Sequence, residues 1–169
     1  MKMHIAAVLG LVISVFLGGC AGNQPIPQVI KKGKLKRAGG NKGMLYIYRP
    51  SSFIGAAVYY DIHDGAQNNK VLGTITSGSV VASELNPGYR EIWAETEARV
   101  GAPVSINRGA TQCVKAGVGF GLFVGRPTLQ KVDLQTCQYD IKKIIDERKK
   151  QQTQREKEKN KKDRMGLPR

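Results

Sequence analysis

The chain has 169 residues, with 27 Lys and Arg against 13 Asp and Glu, which gives a formal net charge of +14. This length accommodates one ordinary domain with flanking segments and excludes a multidomain enzyme. The charge excess lies in the flanks, because residues 44–141 hold eight basic and eight acidic side chains, whereas residues 21–43 hold six and none and residues 142–169 hold twelve and five.

The N-terminus is typical of an export signal. Residues 1–4 are basic, residues 5–16 are apolar with one Ser, and small residues then precede a cysteine. The apolar stretch is shorter than the roughly 20 residues that a permanent membrane helix needs. We therefore expect residues 1–19 to be a signal peptide, although an uncleaved anchor or an ordinary signal peptide remains an alternative.

The tetrad Leu17-Gly18-Gly19-Cys20 resembles the lipobox of bacterial lipoproteins. This resemblance implies cleavage between Gly19 and Cys20 and acylation of Cys20, where two or three acyl chains, palmitate among them, make membrane attachment stable. Because Ala21 stands where an Asp would resemble an inner-membrane retention signal, the expected location is the outer membrane, facing the periplasm.

Residues 20–43 are predicted to be a basic linker between the lipid and the domain, since their Pro, Gly and Lys content buries little apolar surface. Their charge would face anionic headgroups or polymers, or would belong to a merely solvated spacer. The candidate polyanion-binding residues, which include two from the C-terminal segment, are Lys31, Lys32, Lys34, Lys36, Arg37, Lys149 and Lys150.

Residues 44–137 contain short β-rich runs that are separated by turn residues and have no helical pattern between them. This spacing predicts an all-β domain, an antiparallel β-sandwich of about seven or eight strands. The runs lie at 45–49, 57–62, 70–75, 79–85, 89–96, 103–106, 111–118 and 129–134. In the run at 89–96, Tyr89, Glu91 and Trp93 share one face of the strand and the intervening residues share the other. Neither face is cleanly apolar, so the pattern does not decide which face is buried.

Two cysteines, Cys113 and Cys137, remain beside Cys20. An exported protein can hold disulfides, and this pair would close a loop of about 25 residues, worth roughly 3 kcal/mol. A disulfide is expected, with two buried thiols as the alternative.

The C-terminal segment, residues 138–169, changes to a helical period. Ile141, Ile144 and Ile145 share one helical face and could dock against the sheet. From Asp146 to Arg164 no apolar side chain occurs, and opposite charges stand at helical spacing. This part is expected to be a solvated, fraying helix or a disordered tail.

Several blocks resemble, in order, an uncharacterised family of bacterial lipoprotein domains. They are Leu45-Tyr46-Ile47-Tyr48-Arg49-Pro50, Asn86-Pro87-Gly88-Tyr89, Ala94-Glu95-Thr96-Glu97, Gly117-Val118-Gly119 and Val124-Gly125-Arg126-Pro127. The resemblance covers residues 44–134 and implies a prealbumin-like β-sandwich related to Pro-Glu-Gly-Ala repeats. It carries over no catalytic residue, and the basic tail departs from the family pattern.

The sequence offers weak signals for chemistry. His63, beside Asp61 and Asp64, could act as a base or a metal ligand, but no nucleophile elbow accompanies it and Asp64-Gly65 favours a turn. The run Gly117-Val118-Gly119-Phe120-Gly121 lacks the helix that a phosphate loop needs. We expect neither catalytic residues nor a cofactor nor a metal site.

Glu95 and Glu97 share one face of a predicted strand, as the carboxylates of glycosidases can, but are better explained as solvated acids. Export and the absence of aromatic residues from the basic flanks argue against nucleic acid as a partner. The expected function is a lipid-anchored, non-enzymatic binding or structural module. The alternatives are a subunit of a larger envelope assembly that docks through the C-terminal segment, and a hydrolase of an envelope polymer.

Overall fold

The computed structural model describes residues 28–31 and 34–165. The strands are β1 (Ile30–Lys31), β2 (Lys34–Leu35), β3 (Gly43–Arg49), β4 (Tyr60–Asp64), β5 (Lys70–Ile75), β6 (Ser79–Leu85), β7 (Gly88–Glu95), β8 (Arg99–Ile106), β9 (Thr111–Gly119) and β10 (Arg126–Val132). One helix, α1 (Leu134–Arg164), follows.

The strands form two four-stranded sheets, with the orders β10-β9-β3-β6 and β5-β4-β7-β8, and β1 pairs with β2 in a small hairpin. The prediction of a mostly β, sandwich-like domain is confirmed. It was wrong in one respect, because β3 and β9 pair in parallel. A parallel pair needs a long connection, and here the chain from β4 to β8, which includes the whole second sheet, supplies it.

The main core lies between the two sheets. Strand alternation places Leu45 and Ile47 of β3 on this side, opposite Ile62, Ile92 and other buried residues of the second sheet. The other buried residues of this core are Tyr60, Ile75, Leu85, Ala94, Ala102, Val104, Ile106, Val114 and Ala116.

A second core covers the opposite face of β3. Met44, Tyr46 and Tyr48 pack there with Val29 and Leu35 of the N-terminal segment and with three buried residues of α1. All seven residues of β3 are therefore buried, on both faces of their sheet.

Part of the segment predicted as a linker is folded. Val29 and Leu35 are buried, and the Tyr46 hydroxyl donates a hydrogen bond of 2.7 Å to the Lys36 carbonyl oxygen. Burial raises the pKa of Tyr46 to about 12, so this phenol remains a neutral donor. The prediction that this segment buries little apolar surface was wrong for this stretch, because Val29 and Leu35 supply enough apolar surface to dock the short hairpin.

Helix α1 is fixed to the outer face of the first sheet. The predicted disulfide is confirmed: Cys113 of β9 bonds Cys137 of α1, with a Cα–Cα distance of 6.1 Å. Ile141 and Ile144 are buried, as their spacing predicted, and Ile145 is partly buried. The expected strand at 129–134 ends earlier, at Val132, because Asp133 accepts a hydrogen bond of 2.9 Å from the Thr136 N–H and caps the helix.

Polar contacts also hold α1 to the sheet. The Asp140 carboxylate accepts hydrogen bonds from the Tyr48 hydroxyl at 3.0 Å and from the Lys115 ammonium at 2.9 Å. Burial, and the Asp140 carboxylate, raise the pKa of Tyr48, so its hydroxyl stays protonated and donates.

We expect the double substitution Cys113→Ala and Cys137→Ala to lower the free energy of unfolding by roughly 3 kcal/mol, because the crosslink constrains the unfolded chain. Denaturant unfolding measures this loss. The unsubstituted protein under reducing conditions is the control and should behave like the variant. An unchanged unfolding midpoint would show that packing alone holds α1 on the sheet.

A buried ion pair lies at one end of the main core. The Arg90 guanidinium donates from Nη1 to the Asp64 carboxylate and from Nη2 to the Asn86 carbonyl oxygen at 2.6 Å, and both charged side chains are at least 95% buried. Asp64 also accepts a hydrogen bond of 3.0 Å from the Ala66 N–H. Arg90 thus occupies an inward position of β7, beside Ile92, with its charge compensated inside the fold.

Removing one member of this pair leaves the other charge buried and uncompensated. Asp64→Ala is therefore expected to cost about 3–5 kcal/mol of unfolding free energy, whereas the combined Asp64→Leu and Arg90→Met replacement should cost much less. Chemical denaturation measures both variants. Asp61→Ala, on the exposed side of the same strand, is the matched control. Equal losses for Asp61→Ala and Asp64→Ala would show that compensation of the Arg90 charge contributes nothing to stability.

Candidate interaction surfaces

Four strand connections meet at one end of the sandwich: those between β3 and β4, β5 and β6, β7 and β8, and β9 and β10. The Thr96 hydroxyl donates a hydrogen bond of 2.6 Å to the Gly125 carbonyl oxygen, which joins the last two connections. The Ser52 N–H donates to the Ser77 hydroxyl oxygen at 3.0 Å, which joins the first two. A Cβ atom added to Gly55 would lie 3.0 Å from the Val118 side chain, so the first connection also lies against the end of β9.

Two of these connections expose apolar side chains that point away from both cores. We call this surface the apolar tip; it consists of Phe53, Ile54, Phe120, Leu122 and Phe123. Their exposed fractions range from 70% for Ile54 to 98% for Phe53. Isolated exposed apolar residues are ordinary, but five of them on two loops at the same end of the domain indicate an interaction site.

The Glu97 carboxylate holds the second of these loops. It accepts hydrogen bonds from four successive backbone N–H groups, those of Leu122 at 2.8 Å, Phe123 at 2.5 Å, Val124, and Gly125 at 3.3 Å. These donors lower the pKa of Glu97 from its ordinary 4.5 to about 2. The loop therefore presents Leu122 and Phe123 from a backbone that is fixed by a carboxylate.

A buried arginine holds the other loop. The Arg49 guanidinium, at the end of β3, donates hydrogen bonds to the carbonyl oxygens of Val58 at 2.7 Å and Gly55 at 2.5 Å. Desolvation lowers the pKa of Arg49. These two hydrogen bonds fix the loop that carries Phe53 and Ile54.

The second surface is the distal part of α1, residues 149–164, which we call the cationic arm. All its residues are exposed, and it contains eight Lys and Arg, three acidic residues and no apolar side chain. At a rise of 1.5 Å per residue the cationic arm is about 24 Å long. The helical alternative for the tail is the one that the structure adopts, at least as far as Arg164.

The contacts of α1 give its direction. Cys137 bonds to Cys113, which pairs with Tyr46, whereas Asp140 contacts Tyr48 and Lys115, which pair with each other. The helix starts next to β10 at the edge of the sheet and reaches β3 by Asp140, so it crosses the sheet obliquely. It advances in the direction in which β3 and β9 run, toward the end that carries the apolar tip.

His63 lies on the outer face of the second sheet, beside Trp93. Its ring stacks on Trp93 with centroids 4.0 Å apart, and one ring nitrogen lies 3.1 Å from the Asn69 carbonyl oxygen. The Arg99 guanidinium lies 3.9 Å from the centroid of the Trp93 ring. Both acids near His63 in sequence have other partners. Asp64 forms an ion pair with Arg90, and Asp61 accepts a hydrogen bond from Thr74.

The glycine run is divided between a strand and a loop. Gly117 and Gly119 belong to β9, where a Cβ on Gly117 would lie 2.7 Å from the Thr128 hydroxyl oxygen. Phe120 and Gly121 begin the loop that Glu97 holds. The N–H groups that bind the Glu97 carboxylate follow the run, at residues 122–125, and no helix begins there.

The predicted polyanion-binding residues lie in two separate places. Lys34, Lys36 and Arg37 are exposed beside the N-terminal hairpin, and the Lys36 ammonium lies 3.4 Å from the Glu84 carboxylate. Lys149 and Lys150 begin the cationic arm. The backbone of Lys31 belongs to β1, while Gly19, Cys20 and Lys32 lie outside the described residues.

A cavity of about 490 Å³ opens beneath the N-terminal hairpin. Its lining residues are Gln28, Val29, Ile30, Lys36, Met44, Tyr46, Ala82 and Glu84. The mixture is mostly apolar, with Lys36 and Glu84 at 3.4 Å from one another. It gathers no nucleophile with a base.

Comparison with protein-family models, curated proteins and solved structures gives no match for this chain. Within residues 28–31 and 34–165, no three His, Cys, Asp or Glu side chains gather as they would around a metal ion. Over the same ranges, no helix has both the length and the apolar character of a membrane span.

Sequence reasoning missed the main residues of the tip. It treated Glu97 as one of two solvated acids and the glycine run as sheet packing. The available signal was the segment from Phe120 to Val124, which has apolar residues but is flanked and interrupted by glycine, so it is too broken for a strand.

The carboxylate of Glu97 is expected to control the order of its loop. Since its pKa in the folded protein is about 2, below the ordinary 4.5, its stabilising effect is complete above about pH 4.5 and is lost as the pH falls through 2. NMR amide signals of residues 122–125 should therefore titrate with a midpoint near 2. Glu97→Gln should abolish this titration, whereas Glu95→Gln should leave it intact. Titration of these amides near pH 4.5 would contradict the assignment.

Proposed function

We propose that this protein is a lipid-anchored, non-enzymatic binding module of the cell envelope, attached through Cys20 and facing the periplasm of an outer membrane. The cationic arm binds an anionic envelope polymer or lipid headgroup. The observation that carries this proposal is a helix that is clamped to a sheet by a disulfide and then continues for about 24 Å with every side chain exposed.

The disulfide and the buried first turns of α1 explain why the cationic arm is helical although all its residues are exposed. Helices without tertiary contacts are marginal in water at this length, but α1 begins with a capped first turn and with Cys137, Ile141 and Ile144 buried on the sheet. The docked turns nucleate the helix, so the distal turns only have to propagate it. Charged side chains at helical spacing then support the exposed part.

The chemistry of the cationic arm favours an anionic ligand over an apolar protein groove. Helices that dock into grooves do so with apolar residues at spacings of three and four, and residues 149–164 contain none. Eight cations against three anions instead suit phosphate or carboxylate groups that are repeated along a surface. The Lys residues near the N-terminal hairpin add positive charge closer to the anchor.

The test compares the full-length lipoprotein in detergent micelles with a chain that ends at Glu147, using immobilised phosphorylated lipopolysaccharide as the probe. With each Lys or Arg worth about 1 kcal/mol near an anionic surface, truncation should weaken binding by more than about tenfold at low salt. The affinity of the full chain should fall as salt is added.

Two charge variants distinguish the effect of the positive charge of the cationic arm from the effect of shortening the helix. Changing Lys157, Lys159, Lys161 and Lys162 to Gln should reproduce most of the loss, whereas changing Glu156 and Glu158 to Gln should strengthen binding. If neither variant changes the affinity, the arm is not a polyanion-binding surface. Crosslinking in native envelopes provides the second readout: a defined set of proteins lost on truncation would favour the subunit of a larger assembly instead.

A further inference from the structure

We propose that the apolar tip inserts into the interfacial region of a lipid bilayer with anionic headgroups. This gives the protein a second membrane contact besides the acyl chains. The inference rests on the proposed function only in that the anchor at Cys20 brings the domain to the membrane; it does not depend on the cationic arm.

The shape of the tip favours a bilayer. Phe53 and Phe120 are 98% and 96% exposed, and Phe123 is 93% exposed, so these side chains protrude and line no groove. A protein partner would need a pocket for each protruding ring, whereas fluid lipid accepts them without a matching surface. Interfacial amphipathic helices bury their apolar side chains about 5–10 Å deep at the boundary of headgroups and acyl chains, and we expect the protruding rings of the tip to reach the same region.

The loops are built to hold these side chains outward. Glu97 binds four backbone N–H groups of one loop, and Arg49 binds two carbonyl oxygens of the other. The backbone of both loops is therefore already ordered before insertion, and this lowers the entropic cost of insertion. The same contacts satisfy backbone groups that would be costly to bring near lipid.

The charges around the tip suit anionic headgroups. Arg126 is exposed directly after the loop that carries Leu122 and Phe123. Of the two nearby acids, Glu97 keeps its negative charge but directs it at its four N–H donors, and Glu95 stands opposite Arg99 in the β7–β8 pair.

The tether permits this contact. The described chain begins at Gln28, eight residues after Cys20, and eight extended residues span at most about 28 Å. The seven residues of β3, which lead from the N-terminal hairpin toward the tip, extend over about 23 Å. The anchor and the tip can therefore reach the same bilayer.

The experiment uses the full-length lipoprotein reconstituted into vesicles of phosphatidylethanolamine and phosphatidylglycerol. Phe123→Trp places a reporter at the tip, and Arg108→Trp, in the exposed turn at the opposite end, is the matched control. Trp93 is buried against His63, so the parent protein supplies the background. Emission from Phe123→Trp should shift to the blue and be quenched by lipids brominated on the upper acyl carbons.

The inference is overturned if the Phe123→Trp and Arg108→Trp reporters respond equally, or if neither is quenched. A photocrosslinker at position 123 that captures a protein and no lipid would overturn it as well. Added salt distinguishes the two proposals, because apolar insertion should survive it while binding by the cationic arm should not. Phe53→Ser with Phe120→Ser should reduce the quenching at position 123 without changing the unfolding midpoint, since both rings are exposed.

Discussion

The burial of β3 on both faces is the constraint on which the rest of the structure depends. Leu45 and Ile47 face the second sheet, while Tyr46 and Tyr48 face α1 and the N-terminal hairpin. A central strand that is covered twice requires a third layer, and neither the short hairpin nor a mostly polar helix could supply it alone. The disulfide at Cys113 and the buried turns of α1 complete that layer.

Two buried cations act together with apolar packing to organise the sheets and their loops. Arg90 occupies an inward position and is matched by Asp64, whereas Arg49 is solvated by carbonyl oxygens of the loop that it holds. Each of these arginines points inward from its strand and links its strand to another segment of the chain through specific hydrogen bonds. Such groups are costly to bury when their partners are missing, so the contacts that Arg90 and Arg49 make favour one arrangement of the loops over others.

The sequence predicted most strands to within a few residues, because turn residues mark their ends, and it predicted the docked face of α1 from three isoleucines. It did not predict the buried side of β7, since Arg90 on the inner face and Trp93 on the outer face blur the alternation. Pairing of β3 with β9 was equally hidden, because strand order depends on long-range packing that no local pattern records. The function of Glu97 was missed for the same reason: its four partners lie 25 to 28 residues away.

The two candidate surfaces consist of segments that are ordered but do not contribute to either core. The loops of the tip and the distal turns of α1 contribute no buried apolar residue. Nevertheless, Glu97 and Arg49 fix the loops, and the first turns of α1, which the disulfide links to β9, nucleate the distal turns. Segments that served only as connections would tolerate disorder at no cost to the cores. Ordering them without burying them makes sense if their exposed side chains, apolar at the tip and cationic along the arm, are the contact surface.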